Sequence, residues 1–152
     1  YRIKYDLENF EKFKKGLYYI KKEEKEWFKK LQKTKRKGVN IQRVRIVSIP
    51  LSDYLRYEID FWKYSTKYGE KIWFLLNKDY KNIIATLKIK PKDFWLFDDK
   101  KLIIFHYTLK GKWIGEEVIT NGKTINKYKK LKQELLGHSI PMNRFLKNIK
   151  NN

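Results

Sequence analysis

There is no cysteine among the 152 residues. Disulfides, thiolate nucleophiles and cysteine-ligated metals are therefore excluded. No run approaches the ~20 apolar residues that a membrane-crossing helix needs. The opening YRIKYDLENF has neither an initiator Met nor a hydrophobic signal core. The expectation is a cytoplasmic protein with no membrane partner, or a piece of something longer. The 7 glycines are isolated and stand mostly at helix ends or hairpin turns. No P-loop, Gly-x-Gly-x-x-Gly or His-Glu-x-x-His pattern occurs, so no cofactor and no metal site is expected. Arginine is scarce: 6 of the 37 basic residues are Arg and 31 are Lys.

What is abundant is positive charge. The net charge is +20, and it lies toward the two ends of the sequence. Residues 1–49 hold 16 Lys or Arg against 6 Asp or Glu, residues 123–152 hold 8 against 1, and the stretch between holds 13 against 10. A basic surface draws polyanions by long-range attraction. The same excess of Lys, with plentiful Asn, Ile and Tyr, is also what an AT-rich genome places at solvated positions. Readers of bases and phosphates favour Arg, whose fork binds two acceptors at once. The compositional explanation is therefore preferred to a dedicated polyanion site.

Hydrophobic residues make up 41% and aromatics 16% of the chain, enough for a core. The expected elements start with a short helix over 6–15 capped by Asp6, followed by a basic helix over 17–37 that Gly38 stops. NIQRVRIVSIP alternates and is β-branched, so it reads as a strand ending before Pro50. Ser52 or Asp53 caps a helix in which Leu55, Ile59 and Trp62 recur at i, i+4 and i+7. The apolar EKIWFLLN follows as a buried strand. Together they form a βαβ unit, whose natural form is parallel. A short helix from Asp79 to Leu87 precedes Pro91. DFWLFDDKKLIIFHYTLKGKWIGEEVIT reads as three antiparallel strands turning at Asp98-Asp99-Lys100 and Lys110-Gly111-Lys112. A last helix carries Ile125, Tyr128, Leu131, Leu135 and Leu136 in one stripe and stops at Gly137. The expected fold class is α/β (α+β): one domain over 1–152 with a mixed sheet of about five strands, a parallel βαβ unit leading into an antiparallel meander. It has an N-terminal helical segment over about 6–37 and a basic tail over about 140–152.

Several stretches carry a resemblance. Arg43-Val44-Arg45, Pro50-Leu51, Tyr54-Leu55-Arg56-Tyr57-Glu58, Gly69-Glu70 and Asp93-Phe94-Trp95-Leu96-Phe97-Asp98 together resemble an uncharacterised bacterial family, domain of unknown function 6879. The likeness runs from about residue 8 to residue 141. Tyr57 stands where Trp is common and Tyr68 where Ala is common. The resemblance implies a bacterial origin and genes that often lie beside, or fused to, helix-turn-helix transcription regulators. It implies no activity and no catalytic residue. The element order also looks like a degenerate half of the phospholipase D fold. That superfamily's catalysis needs a Lys two residues after its His, and here Tyr107 and Thr108 follow His106.

Among residues with chemical potential, Asp98 and Asp99 are adjacent. On a strand they would point to opposite faces, whereas in a turn Asp is ordinary because it caps local N–H groups. The turn is preferred to a metal site formed by Asp98 with Glu58 or Glu116. His106 ends an apolar strand with no nucleophile in a suggestive setting, and a hydrogen-bonded structural role is preferred. His138 follows a helix stop and reads as a surface residue. Half of the six Arg lie in one strand-helix unit: Arg43, Arg45 and Arg56. One reading is an anion or partner site of Arg43, Arg45, Tyr54, Arg56, Glu58, Asp93 and Asp98, built on bidentate guanidinium contacts. The preferred reading is internal, with Arg45 or Arg56 paired to Glu58 or Asp93. The candidate polyanion surface comprises Lys29, Lys30, Lys33, Lys35, Arg36 and Lys37 on one basic helix and Lys127, Lys129 and Lys130 on the other. Trp27, Tyr18, Tyr19 and Tyr128 lie among them, and no base-reading motif is present.

The functional expectation is a non-catalytic binding or regulatory module with a protein partner such as a helix-turn-helix regulator. A sequence-nonspecific nucleic-acid-binding protein stands second, and a degenerate phosphodiesterase or nuclease third.

Overall fold

A computed structural model of the protein describes residues 4–17, 22–109 and 111–149. It divides into two compact units: Tyr5–Asn77 with Ser139–Asn152, and Lys78–His138 with Tyr1–Lys4.

The first unit is the expected βαβ arrangement with helices added. Strand β1 (Gln42–Val47) pairs in parallel with β2 (Lys71–Leu76), from Gln42 opposite Lys71 to Val47 opposite Leu76. Between them runs α3 (Asp53–Lys67). The extended Ser52 is its N-cap, and the Ser52 hydroxyl accepts from the Leu55 N–H at 3.2 Å. That satisfies one of the donors every helix start leaves open. The predicted spacing holds: Leu55, Ile59 and Trp62 are buried. They meet Val47, Ile72 and Phe74 in one core with Met142 and Phe145. Each such side chain contributes about 1.5–3 kcal/mol of burial.

Met142 and Phe145 belong to the stretch expected to be a basic tail with one or two further turns, and those turns are present. It carries the two-residue strand β6 (Ile140–Pro141) and helix α6 (Met142–Asn148). Strand β6 pairs antiparallel with β2, Pro141 opposite Trp73 and Ile140 opposite Phe74. Helices α1 (Lys4–Lys14) and α2 (Lys22–Arg36) complete this unit. Helix α1 begins before Asp6, which is therefore inside it and not its cap. Tyr18, Tyr19 and Ile20, expected in the second helix, lie outside the described residues.

In the second unit α4 (Asn77–Thr86, its first residue at the boundary) is followed by β3 (Phe94–Phe97), β4 (Lys101–Tyr107) and β5 (Trp113–Ile119). These form the antiparallel meander in the order β3-β4-β5. Helix α5 (Gly122–Gly137) packs on β4, and Tyr128 meets Phe94 edge-to-face at 4.9 Å. Its N-cap is Asn121, whose side-chain oxygen accepts from the Thr124 N–H at 2.9 Å. Leu102, Ile104, Ile125, Leu131 and Leu135 are buried in this unit.

The α/β class stands, and all five expected strands are present. They do not share one mixed sheet: the structure has a sheet β1-β2-β6 and a separate sheet β3-β4-β5. In the first sheet β2 is the central strand, with β1 on one edge and β6 on the other.

Candidate functional site

The arginine strand has the clearest polar geometry. Arg43 and Arg45 are two apart on β1 and project to the same face. Arg45 donates from Nη2 to Glu58 Oε2 at 2.6 Å, and Arg43 donates from Nε to Glu70 Oε1 at 2.8 Å. Both guanidinium groups lie against the Trp62 ring, at 6.0 Å for Arg43 and 5.6 Å for Arg45, within cation–π range. The arginines thus fasten β1 to α3 and to the turn that follows it. This is the internal reading, with Glu58 as the partner of Arg45. Arg56 does not join them. It is exposed and donates from Nε to the Leu51 carbonyl at a long 3.4 Å. The Tyr54 ring packs on Phe10 at 5.3 Å and on Tyr57 at 5.9 Å.

Arg45, Ser48, Ser52, Tyr54, Leu55 and Glu58 line an open depression of about 240 Å³ at the C-terminal end of β1. Small-molecule sites usually occupy about 300–1,000 Å³, and this depression is already bounded by an ion pair. Asp93 and Asp98 belong to the other unit. The Asp93 carbonyl accepts from the Phe105 N–H at 2.9 Å.

Asp98 and Asp99 form the β3–β4 turn. Both have positive φ, +48° and +55°, and the Lys100 N–H returns to the Phe97 carbonyl at 2.9 Å. These are the marks of a type I′ hairpin turn, which requires left-handed backbone at both central residues. The Asp99 carboxylate also accepts from Lys132 on α5. Nε2 of His106 lies 3.6 Å from the Glu117 carboxylate, and Nε2 of His138 lies 3.5 Å from that of Glu134. Among the described residues no group of three or more His, Asp or Glu could hold a metal ion.

The expected polyanion residues do not form one kind of surface. Lys29, Lys30, Lys33, Lys35, Arg36 and Lys37 are exposed. The Lys35 stem also lies over Gly69, where an added Cβ would come within 2.3 Å of its Cδ. Lys29 donates to Glu26 at 2.8 Å, and that hydrogen bond with the carboxylate's charge raises its pKa. On α5, Lys127 donates to the Lys88 carbonyl at 2.8 Å, Lys129 is half-buried and Lys130 is exposed.

The feature not anticipated is the outer face of the meander. In β3 the side chains of Phe94 and Leu96 turn inward, and those of Trp95 and Phe97 turn outward. The register places Trp95 opposite Ile103, Phe97 opposite Lys101, Ile103 opposite Val118 and Phe105 opposite Glu116. Trp95 is 57% exposed, Phe97 43%, Trp113 46% and Val118 54%. Trp95 packs edge-to-face on Phe97 at 5.9 Å and on Phe105 at 5.4 Å. The result is an apolar, aromatic surface on a sheet face that ordinarily carries polar residues. The signal was in the sequence: FWLF is apolar on consecutive residues, whereas a strand covered on one side alternates.

A match to the family described as Domain of unknown function (DUF6879) runs over residues 1–147, and the chain belongs to that family. No curated protein and no solved structure matches it.

Proposed function

We propose that this member of the DUF6879 family is a non-catalytic binding module, and that its working surface is the outer face of β3-β4-β5. The observation that carries the reading is the cluster of exposed Trp95, Phe97, Trp113 and Val118 on one face. Exposing large aromatics to water is costly, and interfaces are where Trp, Tyr and Phe concentrate. The occupant is a protein with an apolar centre and an acidic rim. Lys101 lies on the face opposite Phe97, and the exposed Lys100 and Lys112 lie at its turns. A second copy is disfavoured because each chain carries +20. A phosphate backbone is disfavoured because Glu116 lies on the same face, opposite Phe105. The partner class that the family resemblance implies is a helix-turn-helix regulator.

The reading is tested by co-expression with the product of the adjacent gene and by titration calorimetry of the pair. The Trp95→Ala/Trp113→Ala variant is expected to bind at least ~30-fold more weakly, since a central aromatic anchor is worth about 2–4 kcal/mol. Unchanged affinity in a variant that still folds removes the aromatic face from the interface.

A further inference from the structure

Helix α2 carries a second surface, built from different residues. Its buried side is formed by Glu24, Phe28 and Leu31. Counted at about 100° per residue, Lys22, Lys25, Lys29, Lys33 and Arg36 fall within an arc of about 80° on the opposite side. All five are exposed. Their spacing, i, i+3, i+7, i+11 and i+14, makes a continuous cationic stripe about 21 Å long. Among the described residues, Lys29 is the member of the stripe with a carboxylate partner, Glu26 at the border of the arc. Lys25 with Lys29, and Lys29 with Lys33, are like charges one turn apart, which destabilises an isolated helix. Five of the seven cations of α2 share this arc, while the exposed Lys30 and Lys35 lie outside it.

We infer that this stripe is a nucleic-acid backbone site, with Lys22, Lys25, Lys29, Lys33 and Arg36 each facing phosphate. Duplex DNA presents one negative charge per about 1.7 Å of axis, so a rod of anions matches a rod of cations without any base contact. The arc contains no apolar side chain, whereas a protein partner needs buried apolar anchors. A membrane-surface helix inserts its apolar side. Here that side is already used: Phe28 packs on Phe61 at 5.2 Å and stacks on Tyr68 at 5.3 Å. Sequence reasoning had included Lys35 and missed Lys22 and Lys25.

The test is fluorescence anisotropy of a labelled DNA duplex against the full chain at ~50 mM salt and above. The parent is expected to bind, with affinity falling steeply as salt rises. Lys25→Gln/Lys29→Gln/Lys33→Gln is expected to bind at least ~10-fold more weakly and to lower the log–log salt slope by about 2–3, at roughly 0.9 per lost phosphate contact. The Lys→Arg version of the triple keeps the affinity, which separates charge from folding. Lys81→Gln/Lys123→Gln/Lys130→Gln has the same net charge with the stripe intact and keeps most of the affinity. Equal loss in the two Gln triples, no binding by the parent, or tighter binding to anionic phospholipid vesicles than to DNA overturns the assignment. Trp95→Ala/Trp113→Ala is expected to bind DNA like the parent, so the fates of the two surfaces are read separately.

Discussion

Arg43 on β1 donates to the Oε1 atom of Glu70, 27 residues away, at 2.8 Å. The Glu70 side chain is 2% exposed and that of Arg43 is 43% exposed. A carboxylate is thus held out of water by a cation that is partly in it. The second oxygen, Oε2, is buried with no hydrogen-bond partner. Removing the cation leaves a buried charge uncompensated, which costs more than the pair contributes.

Arg43→Ala is therefore expected to destabilise the protein by about 2–3 kcal/mol. Arg43→Ala/Glu70→Leu is expected to lose less than the single variant, because the charge leaves with its partner. Urea unfolding midpoints of the parent and both variants check the order. An unchanged midpoint for Arg43→Ala would show that the pair makes no net contribution to folding.

Gly69 makes a comparable demand on the backbone. Its φ is +110°, and a Cβ there would meet the Lys35 side chain. Gly69→Ala is expected to cost about 1–3 kcal/mol from strained backbone alone. Combining it with Lys35→Ala removes the collision and leaves the strain. A double variant that returns to parental stability in thermal melts would show that crowding and not φ is the constraint.

These two positions show how far the sequence could be read. Gly69 as a helix stop, Ser52 as a cap and the Leu55–Ile59–Trp62 spacing are local, so they were legible. The partner of Arg45 was legible because Glu58 is 13 residues away on the next element. The pairing of Arg43 with Glu70 was not, since it depends on the parallel register that sets Arg43 opposite Ile72. Strand β6 was invisible for a similar reason: two residues, one of them Pro141, have no periodicity, and only the free edge of β2 makes them a strand. The exposed aromatic face was legible in principle, because FWLF places apolar residues on both sides of a strand. It was read as a hairpin and a family signature, since a sequence does not say which face a helix will cover.

The β3–β4 turn separates structure from chemistry. Asp98 and Asp99 hold left-handed backbone with φ of +48° and +55°. Asp98→Gly removes that penalty at the cost of a looser unfolded chain, for an expected gain of about 0.5 kcal/mol. Asp98→Val is expected to cost about 1–2 kcal/mol, because a β-branched residue resists that region. Asp99→Gly is expected to be close to neutral, as it also gives up the ion pair with Lys132. Chemical denaturation of the three variants reads the ranking directly, and a stability loss in Asp98→Gly would mean that its carboxylate does more than turn the chain.

Alkaline pH addresses the meander unit. Burial raises the pKa of Tyr80 above its ordinary value of 10.0, and the charge of Asp93 and the phenol of Tyr128 add to it. Burial likewise raises that of Tyr128, with Glu117 contributing. The folded protein therefore holds both phenolic protons more tightly than the unfolded chain does. Their contribution to stability is fully present below pH about 10, where unfolded tyrosine ionises, and is lost as the pH rises through the higher folded values. Lysines titrate in the same window, so the useful quantity is a difference between variants. Tyr128→Phe keeps the ring against Phe94 and removes one phenol. Its stability is expected to fall less steeply than the parent's between pH about 9.5 and 11.5. Urea midpoints measured across that range check the prediction, and parallel curves for the two proteins would show that the Tyr128 phenol does not couple to folding.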